Sequence, residues 1–171
     1  MTPQQLTAAV LGFLAVLALV LLTRTSVRRS RHRRYRRRSE RLLETIRAEE
    51  NPARALAYLR KTNPYVFEEL LLTCYEHKGM KVIRNRKYSG DGGIDGKVYI
   101  DGRLHYLQAK RYSSHVSLRH VEEFTRTCER SHHPGIFIHT GRTGAGIREF
   151  LAGHPSVTIL SGGRLIDFLK S

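Results

Sequence analysis

Three residues between positions 90 and 112 are of types that could work together on one reaction centre: Asp95, Gln108 and Lys110. They sit in the run GDGGIDGKVYIDGRLHYLQAKRY, two alternating segments joined by Asp101-Gly102. That dipeptide is favoured in two-residue type I′ hairpins. With those two residues as the loop, Ile100 pairs with Arg103, Lys97 lies across from Tyr106 and Asp95 across from Gln108. Directly opposed residues on one face have Cβ atoms about 4.5–5.5 Å apart, close enough to share one cation. Lys110 is diagonal to Asp95, roughly 7–8 Å away at Cβ, within reach of a lysine side chain. Alternation gives the same register: Ile94, Val98, Ile100, Leu107 and Ala109 face one way, and Asp95, Lys97, Tyr106, Gln108 and Lys110 the other.

A carboxylate with an amide oxygen is a hard-oxygen donor pair. It suits Mg²⁺, with Mn²⁺ as a substitute, and Mg²⁺ is commonly shared with substrate phosphate. A lysine beside it can orient or help deprotonate an attacking water and offset charge developing on phosphorus. The bland alternative for the same spacing is a surface hairpin of mixed charge.

The elements that must position this hairpin are legible on both sides of it. Asn63-Pro64 reads as an N-cap followed by Pro at the first helical position, with Phe67, Leu70, Leu71 and Cys74 at helical spacing and Gly79 as the stop. Strands are expected over 80–84, 94–100 and 104–110, and a helix over 117–130 with Val121, Phe124 and Cys128 inward. The run GIFIHT at 135–140 is nearly unbroken and apolar, as in a strand buried on both faces. A helix over 144–152, a strand over 156–160 and a closing helix over 163–170 complete an α-β-β-β-α-β-α-β-α order, a mixed α/β fold.

The N-terminal quarter differs in kind. Residues 6–22, LTAAVLGFLAVLALVLL, hold no charge. Seventeen residues of helix span roughly 25 Å, and Thr23 with a snorkelling Arg24 closes the gap to a hydrocarbon core of about 30 Å. A cleaved signal peptide is disfavoured because the chain opens Met-Thr-Pro-Gln-Gln without a basic region, and no small-x-small site precedes Arg24. A buried helix of a globular domain is disfavoured by the all-round apolar character. Ten arginines follow, at 24, 28, 29, 31, 33, 34, 36, 37, 38 and 41, against the single acid Glu40. The positive flank predicts a single-pass membrane protein with its N-terminus outside and the rest of the chain cytoplasmic. The run reads as a topology signal and anionic-lipid tether, or as an arm that gathers DNA. The expected organisation is an anchor over 1–23, an arginine-rich juxtamembrane segment over 24–41, a helical linker over 42–63 and one domain over 64–171.

The whole chain of 171 residues carries 30 basic and 15 acidic side chains, a formal +15, which points to a polyanionic partner. Nine of those charges belong to residues 1–41, so the remainder still carries a net +6. Two cysteines without a CxxC exclude a disulfide framework and a zinc ribbon. They read as small core residues.

Phe67-Glu68, Gly90-Asp91-Gly92-Gly93-Ile94-Asp95, Gln108-Ala109-Lys110-Arg111-Tyr112, the run 116–124 and Gly135-Ile136-Phe137-Ile138 stand in an order that resembles the Mrr-like restriction endonucleases, a QxK branch of the PD-(D/E)xK nuclease superfamily. The resemblance covers about 64–171. It implies a restriction-endonuclease-like mixed sheet flanked by helices, here preceded by one N-terminal transmembrane helix. The activity it implies is metal-dependent hydrolysis of phosphodiester bonds in double-stranded DNA, in defence against foreign DNA or in DNA processing. In that setting Asp95 and Gln108 hold the metal, Ala109 lends its backbone carbonyl, Lys110 is the catalytic lysine and Glu68 the supporting acid, with Glu69 as its alternative. Ile94-Asp95 and Gln108 depart from the superfamily's usual Pro-Asp and acidic residue. A span and an arginine run stand where such enzymes usually carry a DNA-reading domain, so recognition of modified sites does not transfer.

Arg111, Tyr112, His115, Arg119 and His120 flank the expected site strand. They read either as phosphate contacts or as a solvated basic rim. Gly90 to Gly93 suit a tight turn and close backbone approach rather than a P-loop, since no helix follows. His132-His133 before Pro134 reads as a solvated turn. Three functions are consistent with these features: a membrane-tethered endonuclease, a catalytically silent nuclease fold that binds DNA or a protein at the membrane, and a scaffold whose basic run recognises anionic lipid. One such site per chain implies a homodimer if both DNA strands are cut together.

Overall fold

The computed structural model describes residues 3–85 and 93–171, without the side chains of 3, 6–11, 15 and 21–29. Its elements are α1 (Pro3–Ala48), α2 (Pro52–Lys61), α3 (Pro64–His77), β1 (Val82–Arg84), β2 (Gly96–Ile100), β3 (Arg103–Lys110), α4 (Leu118–Arg130), β4 (Gly135–His139), α5 (Ala145–Ala152), β5 (Val157–Ser161) and α6 (Gly162–Lys170). From α3 onward this is the order expected from the sequence. The five strands form one sheet in the order β1-β2-β3-β4-β5. The first three are antiparallel and the last three parallel, so the sheet is mixed.

Local chemistry accounts for the boundaries. Asn51 accepts hydrogen bonds from the N–H groups of Ala53 and Arg54, and Asn63 accepts from Tyr65, each just ahead of a proline whose missing N–H would be unsatisfied there anyway. Asp101 and Gly102 take φ of 49° and 77°, the paired left-handed conformation of a type I′ turn. The ladder that follows pairs Ile100 with Arg103, Tyr99 with Leu104, Val98 with His105, Lys97 with Tyr106 and Gly96 with Leu107.

Helices cover both faces of the sheet. On one face α1, α2, α3 and α6 bury Leu43, Leu59, Phe67, Leu70, Leu71, Leu165 and Leu169 against Val98, Leu107 and Ile138. On the other, α4 and α5 bury Val121, Phe124, Cys128 and Ile147 against Tyr106, Phe137 and Val157. Cys74 and Cys128 are fully buried, one in each cluster. His132 has a positive φ of 53° and His133 packs its ring 5.1 Å from that of Tyr106, a turn with an aromatic contact.

Two expectations about the N-terminal quarter change. The first half of the expected linker is not a separate piece. Residues 42–48 continue α1 without a break, and Tyr35, Ser39, Leu43 and Ile46 of that helix are buried. Ser39 shares a 3.1 Å hydrogen bond with Thr73 of α3, Arg36 pairs with Glu76 at 2.9 Å, and Tyr35 stacks its ring 5.6 Å from that of Tyr65. The stripe 35, 39, 43, 46 carries Tyr, Ser, Leu and Ile on a helix otherwise rich in arginine, which is why it docks. Secondly, among the described residues no helix is long and apolar enough to cross a membrane. The expected span over 6–22 falls within α1, and several of its side chains, at 6–11, 15, 21 and 22, are outside the described set.

Because Tyr35, Leu43 and Ile46 complete the core, a chain beginning at residue 50 is expected to melt well below one beginning at residue 30. Each fully buried side chain of this size contributes about 1.5–3 kcal/mol. Thermal denaturation of the two fragments reads the difference; equal melting temperatures would remove α1 from the folded unit.

Candidate active site

The hairpin's open end, where β2 begins and β3 finishes, gathers the polar residues. Asp95 lies one residue before β2. Its N–H donates to the Leu107 carbonyl at 2.8 Å, and its Oδ2 accepts from the Ala109 N–H at 2.7 Å. The expected strand from 94 therefore starts two residues later. Asp95 does not continue the ladder as a simple partner of Gln108; its carboxylate reaches over and holds the backbone on the far side of Gln108. Ile94 also departs from the expected face, packing with the Phe124 and Phe137 cluster instead of with Val98. The reversal follows from Gly93, whose φ of 84° turns the chain just before it.

Gln108 is buried, 6% exposed, and its Oε1 has no hydrogen-bond partner. A buried acceptor without a donor is uncommon and costs about 1–3 kcal/mol. A Cβ built on Gly93 would lie 2.5 Å from the Gln108 Nε2, so this glycine is needed both for its backbone conformation and for the space the amide occupies. Gly90, Asp91 and Gly92 lie outside the described residues.

Glu68 and Glu69 are adjacent on α3, and 100° of helical rotation gives them different neighbours. Glu69 is buried and receives the Arg84 Nε at 2.8 Å, with the His32 ring at 3.8 Å. Glu68 instead feels the charges of Asp95 and Lys110. Burial first, and then the Asp95 carboxylate, push Glu68 up to about 8, while Lys110 pulls it down. A carboxylate raised in this way marks a place short of positive charge. Together with the orphaned Gln108 oxygen, this makes the donor set fit a hard divalent cation. Among the described residues no group of three His, Cys, Asp or Glu side chains gathers, so the fit rests on Asp95, Gln108 and Glu68 and does not extend to a zinc-type cluster.

The flanking residues divide. Arg111 donates its Nη1 to the Arg60 carbonyl at 3.0 Å, and Arg60 in turn donates its Nε to the Thr140 carbonyl at 2.9 Å. Thr140 Oγ1 accepts from the Tyr112 N–H and donates to the Tyr112 carbonyl, both at 3.0 Å. These bonds tie the end of α2 to the residues following β3 and β4, directly after Lys110. Arg111 is held through its Nη1 while its buried Nε has no hydrogen-bond partner, and Tyr112 also hydrogen-bonds the His120 ring through its hydroxyl. Arg119 points to solvent and pairs with Glu123 at 2.9 Å, and His115 is exposed. Sequence reasoning passed over Arg60 and Thr140, because their partners lie 51 and 80 residues away from Arg60. No local pattern signals such a clamp.

His139 sits opposite Lys110 in the β3–β4 register and is fully buried. Burial pushes its imidazole down to about 4. The folded protein thus keeps it neutral while the unfolded chain protonates near pH 6.5, so this contribution to stability is complete above about pH 6.5 and lost as pH falls toward 4. The loss amounts to up to roughly 3 kcal/mol. His139→Phe is expected to flatten the melting temperature against pH in that window; a profile unchanged from the parent would discount the buried imidazole.

Gly93→Ala is expected to lose about 1–2 kcal/mol from its positive φ alone, and more from the collision with Gln108. In the double variant Gly93→Ala/Gln108→Ala the collision is gone, so denaturant melts should give a favourable coupling of the two changes. Strict additivity would mean that the two residues do not touch.

A family model described as restriction endonuclease, Mrr_cat, matches residues 59–169. No curated protein and no solved structure matches the chain. The match starts within α2 and ends within α6, and it takes in Glu68, Asp95, Gln108 and Lys110. With the mixed sheet flanked by helices and acidic, amide and lysine side chains at the open end of one hairpin, the chain belongs to the Mrr-like restriction endonuclease family.

Proposed function

We propose that this protein is a membrane-tethered, Mg²⁺-dependent endonuclease that hydrolyses phosphodiester bonds in double-stranded DNA. The observation that carries the reading is the buried, unpartnered Oε1 of Gln108, on the residue that Gly93 packs against and next to the one Asp95 holds by its N–H. In this reading Asp95, Gln108 and the Ala109 carbonyl hold the ion, with Glu68 as the supporting acid. Mg²⁺, when bound, would polarise the scissile phosphate and lower the pKa of an attacking water. Lys110 orients that water and offsets the charge that grows on the phosphoryl oxygens. The Arg60–Arg111 clamp keeps the end of β3 in place, so Lys110 holds its position when substrate enters. His115, Arg119 and His120 are the rim residues with the most access to DNA phosphates.

Membrane tethering is supported by the uncharged run 6–22 and by Phe13, Leu14, Val16, Leu17 and Leu19, which α1 exposes. A row of exposed apolar side chains of this size is unfavourable in water and favourable in hydrocarbon. The arginines after it favour an orientation with the nuclease domain in the cytoplasm, where DNA and Mg²⁺ are available. A homodimer would bring two sites to the two strands.

Supercoiled-plasmid nicking against Mg²⁺ concentration tests the reading on the full chain in detergent. Lys110→Ala is expected to lose cleavage and keep most DNA affinity, which rests on many distributed phosphate contacts. Asp95→Ala is expected to lose both metal binding and cleavage. Gln108→Glu restores a charged ligand, so cleavage survives at lower Mg²⁺, whereas Gln108→Ala loses it by about two orders of magnitude as the ion shifts against the phosphate. A Lys110→Ala protein that nicks as well as the parent would overturn the site. A parent that binds DNA but never nicks with Mg²⁺ or Mn²⁺ would make the protein a binding module.

A further inference from the structure

The structure seats α1 against α3 by one side and leaves the other side strongly basic. Tyr35, Ser39, Leu43 and Ile46 face the core, and at 100° per residue Arg33, Arg37 and Arg41 form one rail on the far side with Arg34 and Arg38 beside it. All five are exposed and none forms an ion pair among the described residues, whereas Arg36, on the docked side, is taken up by Glu76 and Glu40. Arg34 stands over the Tyr35 ring at 5.7 Å, which fixes the start of the ridge.

The ridge starts at the site end of the molecule and runs from there along α3 towards His77. Contacts between the two helices rise together in number: His32 meets Glu69, Arg36 meets Glu76 and Glu40 meets His77. The helices therefore run the same way, and the arginines at 33 and 34 lie within one turn of the contact to Glu69, the neighbour of Glu68. From 33 to 41 the ridge is about 12 Å long, and duplex DNA presents one phosphate charge per 1.7 Å of axis, about seven over that length.

Distance separates the far end of this ridge from a lipid tether. α1 is one unbroken helix from Pro3 to Ala48, so the rise per residue acts as a ruler. Arg24, Arg28 and Arg29 fall within about 10 Å of Leu22, in the headgroup layer. Arg33 is about 6 Å and Arg41 about 18 Å beyond Arg29, so with a screening length of about 8 Å at physiological salt the surface potential falls along the ridge and has decayed by Arg41.

We propose that Arg33, Arg34, Arg37, Arg38 and Arg41 of α1 form a duplex-DNA backbone surface whose Arg33 end stands level with Glu69, beside the Asp95, Gln108 and Lys110 site. The inference rests on the nuclease reading above and deepens it, by giving the DNA contact to a helix that is also part of the core.

The test is the dissociation constant of a duplex oligonucleotide against KCl concentration, with Ca²⁺ in place of Mg²⁺. It uses the full chain in nanodiscs of phosphatidylcholine. Changing the five ridge arginines to Gln is expected to lower the slope of log affinity against log salt by about 4–5, since each lost phosphate contact removes about 0.9. Changing the same five to Lys should keep the parent slope, because a phosphate track reads charge and not shape. A Gln variant with the parent slope, or a parent that does not bind the duplex, overturns the proposal. So does a Gln variant whose only change is loss of the stabilisation that phosphatidylserine nanodiscs give the parent, which would make the ridge a lipid surface. Plasmid nicking by the parent is scored separately: a parent that binds steeply with salt but never nicks defeats the nuclease reading and leaves the ridge standing.

Discussion

Asp95 accepts the Ala109 N–H at 2.7 Å, and that one bond sets how the site end of the hairpin is built. It replaces a ladder contact with a side-chain contact where the ladder runs out. The N–H of a residue in the site strand is satisfied, the chain entering β2 is held down, and Gln108 is kept between the carboxylate's anchor point and the Gly93 backbone. An ionised acceptor makes this a strong bond, roughly twice a neutral one. Without it the entry to β2 would carry Asp95 away from Gln108, and the two oxygen donors would no longer converge. Gly93 is the other half of the constraint, since its left-handed turn brings Ile94 to the opposite face and frees Asp95 to reach over.

The electrostatics of the site follow from what packs around that bond. Glu68 arrives from α3 into a place already holding the Asp95 charge, and burial makes the conflict worse. Lys110 relieves part of it. A third carboxyl group at position 108 would add another negative charge to the same small volume, whereas the amide adds an oxygen donor and no charge. The neutral residue is thus a departure from the superfamily's ligand that the rest of the site accommodates. Its Oε1 is buried without a hydrogen-bond partner, and burial with the Asp95 charge raises Glu68 beside it.

Much of this was legible in the sequence because it is local. Turn chemistry at Asp101-Gly102 fixed the pairing from Gly96 to Leu107, and the caps at Asn51 and Asn63 marked two helix starts. The features that could not be read are those decided by tertiary contact. Alternation put Ile94 with Val98, and a glycine with positive φ sent it the other way. The residues after Arg41 looked like a spacer because their apolar stripe is short. Only the partner surface on α3 and α6 shows that Leu43 and Ile46 are core. Arg111 read equally as a phosphate contact or as part of a solvated rim, and the bond from its Nη1 to the Arg60 carbonyl spans 51 residues. Glu68 and Glu69 were equivalent by composition until the rotation of α3 gave Glu69 to Arg84 and left Glu68 beside Asp95.

The docking of α1 has a consequence for how substrate and membrane are related in space. A flexible arginine-rich tether would let the domain turn freely beneath a bilayer, and its charges would serve lipid and DNA alike. A continuous helix, locked to α3 by the Ser39–Thr73 and Arg36–Glu76 contacts, removes that freedom. The direction of α1 then fixes the direction of the site, because the same α3 that receives Ser39 carries Glu68. If the apolar run lies in a bilayer, the charges next to it sit at headgroup depth, and those beyond it run along α3 from Glu69 towards His77. In that arrangement one helix would present a single basic run to two anionic surfaces in turn, with no change in residue type along it.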